Sequence, residues 1–250
     1  MQGLHAVVTG GGSGIGAAIA QALHAAGAHV TVMGRDEARI RARLASLPGA
    51  FATTVDVSNA DSVRAAFEAV ALLSPIDILV NNAGAVETQP FGRTSLELWQ
   101  RTLDVNLTGT FLCTQQVLPG MTERGFGRIV NIASTAALKG YAYVAAYCAA
   151  KHGVLGMTRA LALEVAQKGV TVNAVCPGYT QTAIVDEAVA KIVAKTGRSA
   201  EQARAELAGA NPQRRLIQPA EVAQAVLWLC RRESAAITGQ AIAVAGGEVM

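Results

Sequence analysis

Charge is sparse in this chain. Asp, Glu, Lys and Arg make up 16 % of its 250 residues, the net charge is +3, and no basic run occurs. A nucleic-acid binder needs a concentrated basic surface, so that class of partner is set aside. Cysteine is equally thin. Cys113, Cys148, Cys176 and Cys230 stand far apart, with neither a C-x-x-C pair nor a zinc spacing. They read as reduced thiols, and the cytoplasm is the expected location. His5, His24, His29 and His152 show no ligand spacing either, so no metal site is expected. No apolar run reaches the ~20 residues that cross a bilayer, so no membrane partner is expected. No signal peptide is expected, because a strand-like segment begins within a few residues of Met1. Hydrophobic residues, by contrast, are 51 % of the chain. A single α/β domain of this size buries roughly three-quarters of its unfolded surface and needs no disulfide or metal.

Strand-like and helix-like segments alternate. Strands are expected at His5–Thr9, His29–Met33, Phe51–Val55, Ile76–Val80, Gly127–Ile132, Thr171–Val175 and Gln240–Val244. Helices are expected at Gly14–Ala26, Asp36–Ser46, Asp61–Leu73, Leu96–Leu118, Tyr143–Gln167 and Pro219–Leu229. Repeated strand–helix units require a parallel sheet with helices on both faces, here of about seven strands. Tyr179–Arg215 breaks the pattern, being polar, partly helical and too long for a simple connection. Such insertions are lids or binding loops, or else plain surface excursions. Ile184, Ala188 and Ile192 within it have helical spacing and could cover an apolar substrate.

The first strand runs into Thr9-Gly10-Gly11-Gly12-Ser13-Gly14-Ile15-Gly16. Glycines let a backbone turn tightly and approach a pyrophosphate, and the next helix points its free N–H groups there. The spacing is Gly10-x-x-x-Gly14-x-Gly16, longer than the common G-x-G-x-x-G. The second strand ends Met33-Gly34-Arg35-Asp36. An acidic residue at that point accepts the ribose hydroxyls of NAD. Gly34 offers no carboxylate, and the Arg35 guanidinium can pair with a 2′-phosphate, which favours NADP. A two-residue shift would make Asp36 an acidic partner and restore NAD. Asp56-Val57 follows the third strand and could set a carboxylate near the adenine. Asn81-Asn82-Ala83-Gly84 follows the fourth, with small residues for close approach and amides to bind neighbouring strands.

Tyr147 and Lys151 are four residues apart and share a helix face. A free tyrosine has a pKa near 10; a neighbouring ammonium, with an oxidised nicotinamide, would favour the phenolate and suit it to proton exchange with an alcohol or ketone oxygen. Ser134 follows the fifth strand, where its hydroxyl could steady that oxygen or merely cap a turn.

These residues together resemble the short-chain dehydrogenases/reductases over nearly the whole chain. The resemblance implies a Rossmann-type, doubly wound domain spanning 1–250, with 179–215 as a substrate lid. It implies a catalytic group of Asn106, Ser134, Tyr147 and Lys151. Tyr147 would be the proton donor or acceptor, Lys151 would hold the nicotinamide ribose, Ser134 would orient the substrate oxygen, and Asn106 would keep a relay water. Thr9, Gly10, Gly12, Ser13, Gly14, Ile15, Gly16, Arg35, Asp56, Val57, Asn82, Ala83, Gly84, Pro177, Gly178 and Thr182 would join Tyr147 and Lys151 around the cofactor. The resemblance also implies a homotetramer joined through Leu96–Leu118 and Tyr143–Gln167. Ser13 stands where some NADP users carry a basic residue, which leaves Arg35 to act alone.

The stretch from Val172 to Arg215 is similar to 3-oxoacyl thioester reductases, polyketide ketoreductases and acyl-CoA-acting relatives. Arg214 and Arg215 would meet a phosphopantetheine or CoA phosphate, or stay solvated. The expected activity interconverts a secondary alcohol and a ketone, on an acyl-carrier-protein or CoA thioester or a smaller ketone. The alternatives are an NAD-dependent dehydrogenase of a small or cyclic alcohol and a non-catalytic dinucleotide redox sensor. The filled catalytic positions argue against the sensor.

Overall fold

The computed structural model describes residues 1–249. Its strands are β1 (His5–Thr9), β2 (His29–Gly34), β3 (Phe51–Thr54), β4 (Ile78–Asn81), β5 (Gly127–Ile132), β6 (Val170–Pro177) and β7 (Ala241–Val244). All neighbours pair in parallel, in the order β3-β2-β1-β4-β5-β6-β7. The order reverses between β1 and β4, the point where such sheets leave a crevice at their carboxyl ends. β1, β4, β5 and β6 are buried throughout, whereas the edge strands β3 and β7 keep exposed positions.

Alternation along each strand feeds two cores. Ala6 and Val8 of β1 face one core, with Ile19 and Leu23 of α1 (Gly14–Ala25), Ile40 of α2 (Glu37–Leu44) and Val222 and Val226 of α9 (Pro219–Leu229). Val7 faces the other, with Val63 and Phe67 of α3 (Ala60–Ala71), Val117 and Met121 of α5 (Gly109–Arg124) and Ala162 of α6 (Ala145–Glu164).

Three expected elements change. The helix expected over Leu96–Leu118 is α4 (Leu96–Leu103), a π turn over Asp104–Thr108, and α5. The helix expected from Tyr143 begins at Ala145, because Tyr143 takes φ +68, outside the helical region. The 179–215 excursion holds two helices, α7 (Ala183–Thr196) and α8 (Ala200–Ala208). These two share a small core of Val185, Val189 and Ala203, with Ile192 and Leu207 against it. Ile192 therefore turns inward, and of the expected apolar stripe Ile184 is the exposed member. A bridge between Thr180 and Ile217 closes the foot of the excursion. No helix among the described residues is long and apolar enough to cross a membrane.

Candidate active site

The glycine loop is shaped by two requirements. Gly10 and Gly14 take φ +62 and +53, the left-handed region. A β-carbon on Gly16 would lie 2.3 Å from the Gly10 carbonyl oxygen, so only glycine lets the helix start this close to the strand. Ser13 is extended at the N-cap of α1, but its hydroxyl makes no cap hydrogen bond. The first bond back to it is from the Ala17 N–H to the Ser13 carbonyl, 3.1 Å. The N–H groups ahead of Ala17 are left without intrahelical partners. Thr182 likewise heads α7 without a side-chain cap. Its methyl lies 3.1 Å from where a β-carbon on Gly14 would stand. The starts of α1 and α7, both without side-chain caps, thus lie close together beside the loop.

Past the end of β2, Asp36 is engaged by its own helix. Asp36 accepts the Arg39 N–H at 3.0 Å as the cap of α2, and its other oxygen lies 3.5 Å from the Arg39 guanidinium. A β-carbon on Gly34 would lie 3.0 Å from Ile40 Cγ2, so a larger residue there would crowd that side chain. Arg35 is exposed beside this edge. The stem of Arg39 lies over the loop, with Cγ 3.3 Å from a β-carbon built on Gly12. The sequence reading missed Arg39: a capped helix start followed by an arginine was its only signal.

Several residues expected around a cofactor spend their polar atoms on the protein. Thr9 is buried; its hydroxyl accepts the N–H groups of Asn82 and Ala83 at 3.0 and 3.1 Å. The Asn82 amide donates to the Thr9 and Gly10 carbonyls at 3.0 and 3.1 Å. Both brace the loops that form the crevice. Asp56 Oδ1 accepts the Ser58 hydroxyl at 2.6 Å and the Ser58 N–H at 3.0 Å. Those bonds, led by the hydroxyl, hold its carboxyl below the usual value. Val57 is buried against Gly109 of α5. Pro177 ends β6, and the Gly178 N–H donates to the Val244 carbonyl at 3.1 Å.

Ser134 lies just beyond β5, half-buried, and its hydroxyl accepts the Ala136 N–H at 3.1 Å. It does cap a short 3-10 turn, as the plainer expectation had it, and it also stands beside Tyr147. Tyr147 and Lys151 sit one turn apart on α6, with the ammonium 5.6 Å from the ring centroid. Lys151 is buried, and its ammonium donates to the Ile132 carbonyl at 2.9 Å. Burial lowers it to about 8. Burial also pushes Tyr147 up to about 12, against a smaller lowering by the Ser134 hydroxyl. The expectation of a depressed tyrosine is therefore not met by the protein's own groups.

Asn106 occupies the π turn and is fully buried. Its amide donates to the Ala85 and Thr102 carbonyls at 2.8 and 2.9 Å, and its oxygen accepts the Ala85 N–H at 3.2 Å. A β-carbon on Gly84 would stand 2.8 Å from Asn106 Oδ1 and 3.6 Å from Lys151 Nζ. Gly84, Asn106 and Lys151 therefore converge, and the π turn is the local device that brings the asparagine in.

Comparison with known proteins identifies the family. The sequence model of the short chain dehydrogenase family matches residues 4–193. The chain belongs to that family. The acetoacetyl-CoA reductase of Shinella zoogloeoides is 41 % identical over 246 residues, covering 97 % of each chain. The 3-oxoacyl-[acyl-carrier-protein] reductase of Aquifex aeolicus is 39 % identical over 253 residues, covering 99 % of this chain and 98 % of its own. Among solved structures, a variant of actinorhodin polyketide ketoreductase with NADPH matches with a TM-score of 0.94 at 42 % identity, covering 98 % of this chain and 97 % of that one.

As a short chain dehydrogenase, this protein is an NAD(P)-dependent oxidoreductase acting on a secondary alcohol and ketone pair. Arg215, a candidate for a ligand phosphate, forms a two-pronged pair with Glu221 at 2.6 Å for each bond. It is committed to the start of α9. Arg214 takes φ +55 at the foot of the α7–α8 excursion.

Proposed function

We propose that the protein is an NADP-dependent reductase of a 3-oxoacyl thioester, carried on CoA or an acyl carrier protein. The observation that carries the reading is the meeting of Ser134, Tyr147 and Lys151 at the carboxyl edge of β5. It is supported by the thioester substrates named for the relatives. The preference for NADP rests on Asp36 being used as a helix cap while Arg39 lies on the glycine loop and Arg35 stands exposed just past β2.

The uncapped starts of α1 and α7 would hold the pyrophosphate, and Arg35 with Arg39 the 2′-phosphate. When bound, the dinucleotide supplies or accepts the hydride. Ser134 donates a hydrogen bond to the carbonyl oxygen and fixes it beside Tyr147. The Tyr147 phenol gives its proton to that oxygen as the alcohol forms, and takes one back in the reverse direction. A phenol pushed up by burial is held in the protonated form that a reductase needs. The buried Lys151 ammonium stabilises the phenolate left behind, and its bond to Ile132 fixes its position. Asn106 holds the Ala85 loop against Lys151 and is the candidate for anchoring a proton-relay water. We further assign α7–α8 as the substrate lid and the cytoplasm as the compartment, where the four free cysteines would stay reduced. A homotetramer fits the exposed Leu96, Phe111 and Leu163 on α4, α5 and α6; light scattering on the purified protein tests it.

The deciding experiment is a panel of 3-oxoacyl thioesters and simple ketones, followed by absorbance with NADPH and with NADH. Thioester reduction with NADPH is expected. Turnover confined to NADH, or to cyclic or sugar ketones, overturns the reading.

A further inference from the structure

The segment after β7 turns back toward the active site. Gly246 and Gly247 take φ +60 and +92. A β-carbon on Gly246 would lie 2.1 Å from Asn211 Oδ1, and one on Gly247 3.4 Å from Pro212. The turn is therefore seated against the foot of the α7–α8 excursion. It delivers Glu248 inward, with its side chain 1 % exposed. Tyr141 donates its hydroxyl to Glu248 Oε1, and Lys139 Nζ lies 3.1 Å from the same oxygen. Oε2 lies 2.9 Å from where a β-carbon on Gly178 would stand. The Tyr141 oxygen is also 2.6 Å from Thr135 Oγ1. A phenol has one proton and a carboxylate only accepts, so the Thr135 hydroxyl is the donor in that second bond. The Tyr179 ring stands edge-on to Tyr141, with centroids 6.4 Å apart.

We infer that Glu248 is a positioning residue that holds the Ser134 loop and the Gly178 turn at a fixed separation. The inference rests on the reading of Ser134 and Tyr147 as the group that holds the substrate oxygen. Thr135 is the neighbour of Ser134, and Gly178 follows the end of β6. One wall of the cleft is bonded to the carboxylate through Tyr141 and Thr135, and the other packs against it at Gly178. Burying a carboxylate is costly unless it is paired and hydrogen-bonded, and an apolar residue would fill the space at lower cost. The Lys139 pair and the Tyr141 bond give direction as well as packing. Direction matters here because a displacement of about 1 Å at a reacting centre costs about a hundredfold in rate.

The test compares wild type, Glu248→Ala, Glu248→Gln and Tyr141→Phe, with a short 3-oxoacyl thioester and NADPH. Glu248→Ala is expected to lower kcat/KM for the thioester at least tenfold while the NADPH dissociation constant stays within twofold. Hydrogen exchange at 133–144 should quicken. Glu248→Gln keeps an acceptor for Tyr141 and should recover most of both effects. Tyr141→Phe cuts the link to Thr135 while leaving the ion pair, and should reproduce the loss even where Glu248→Ala does not fold. Wild-type values and unchanged exchange in Glu248→Ala and Tyr141→Phe overturn the inference, as does Glu248→Gln behaving like Glu248→Ala. If wild type reduces no ketone, the catalytic reading fails, and the exchange comparison still decides whether the tie exists.

Discussion

Lys151 donates its ammonium to the main-chain carbonyl of Ile132 at 2.9 Å, joining the middle of α6 to the end of the strand that delivers Ser134. The bond explains why a lysine tolerates this depth: the charge has one fixed partner, and burial still lowers it to about 8. The fall from 10.5 corresponds to roughly 3 kcal/mol of destabilisation carried by the charged form.

That cost has a sign in pH. Between about 8 and 10.5 the unfolded chain keeps this proton while the folded chain has lost it, so folding stability from this group rises with pH across that window. Lys151→Met removes the effect. In the ligand-free protein, the stability of Lys151→Met relative to wild type should fall by up to about 3 kcal/mol between pH 7 and 10.5. Urea unfolding of both proteins across that range measures it. A difference that does not change with pH rejects the buried ammonium.

Tyr147→Phe should leave folding and NADPH binding intact and abolish turnover. Tyr147 is the group assigned to pass the proton, and such transfer contributes about 10²–10⁴-fold. Single-turnover reduction of a thioester reads the chemical step. More than about a tenth of wild-type activity would remove Tyr147 from its role.

Arg35→Ala should weaken NADPH binding by about 1.5–3 kcal/mol, the scale of a hydrogen bond to a charged group, and leave NADH nearly unchanged. Arg39→Ala should act in the same direction, because its stem lies on the glycine loop beside Gly12. Fluorescence titration with both cofactors separates the two effects. Equal losses for NADH and NADPH would mean that these arginines do not recognise the 2′-phosphate.

The sheet, its connecting helices and the Ser134–Tyr147–Lys151 group were legible in the sequence because they rest on local patterns. Apolar strands such as Ile129–Ile132 and the i,i+4 spacing of Tyr147 and Lys151 need no knowledge of distant contacts. What was missed is non-local or has no period. The π turn at Asn106 leaves no mark on the hydrophobic pattern, so α4 and α5 read as one helix. Thr9 and Asn82 were expected around a cofactor, and their hydrogen bonds run to each other's loops, a pairing across more than seventy residues. The Glu248 contacts depend on a turn after the last strand and on a loop more than a hundred residues earlier. Burial, which raises the Tyr147 phenol in the protein alone, likewise has no local sequence signal.

The α7–α8 excursion should move as one piece. Val185, Val189 and Ala203 form a core of their own, and Asp186 pairs with Arg204 across the two helices at 2.5 Å. Cohesion within the excursion, with Thr182 at its head against Gly14, favours swinging over melting. Ligands that engage the start of α7 would draw it down and exclude water from the cleft. Hydrogen exchange should therefore slow across 179–215 when NADPH and a thioester product analogue are both present, and less with NADPH alone. Replacing α8 by a short loop should raise KM for long acyl thioesters far more than it weakens NADPH binding. Exchange that ignores ligands, together with an unchanged ranking of acyl substrates after that deletion, would leave the excursion as surface structure and move specificity to the walls around Ser134 and Tyr141.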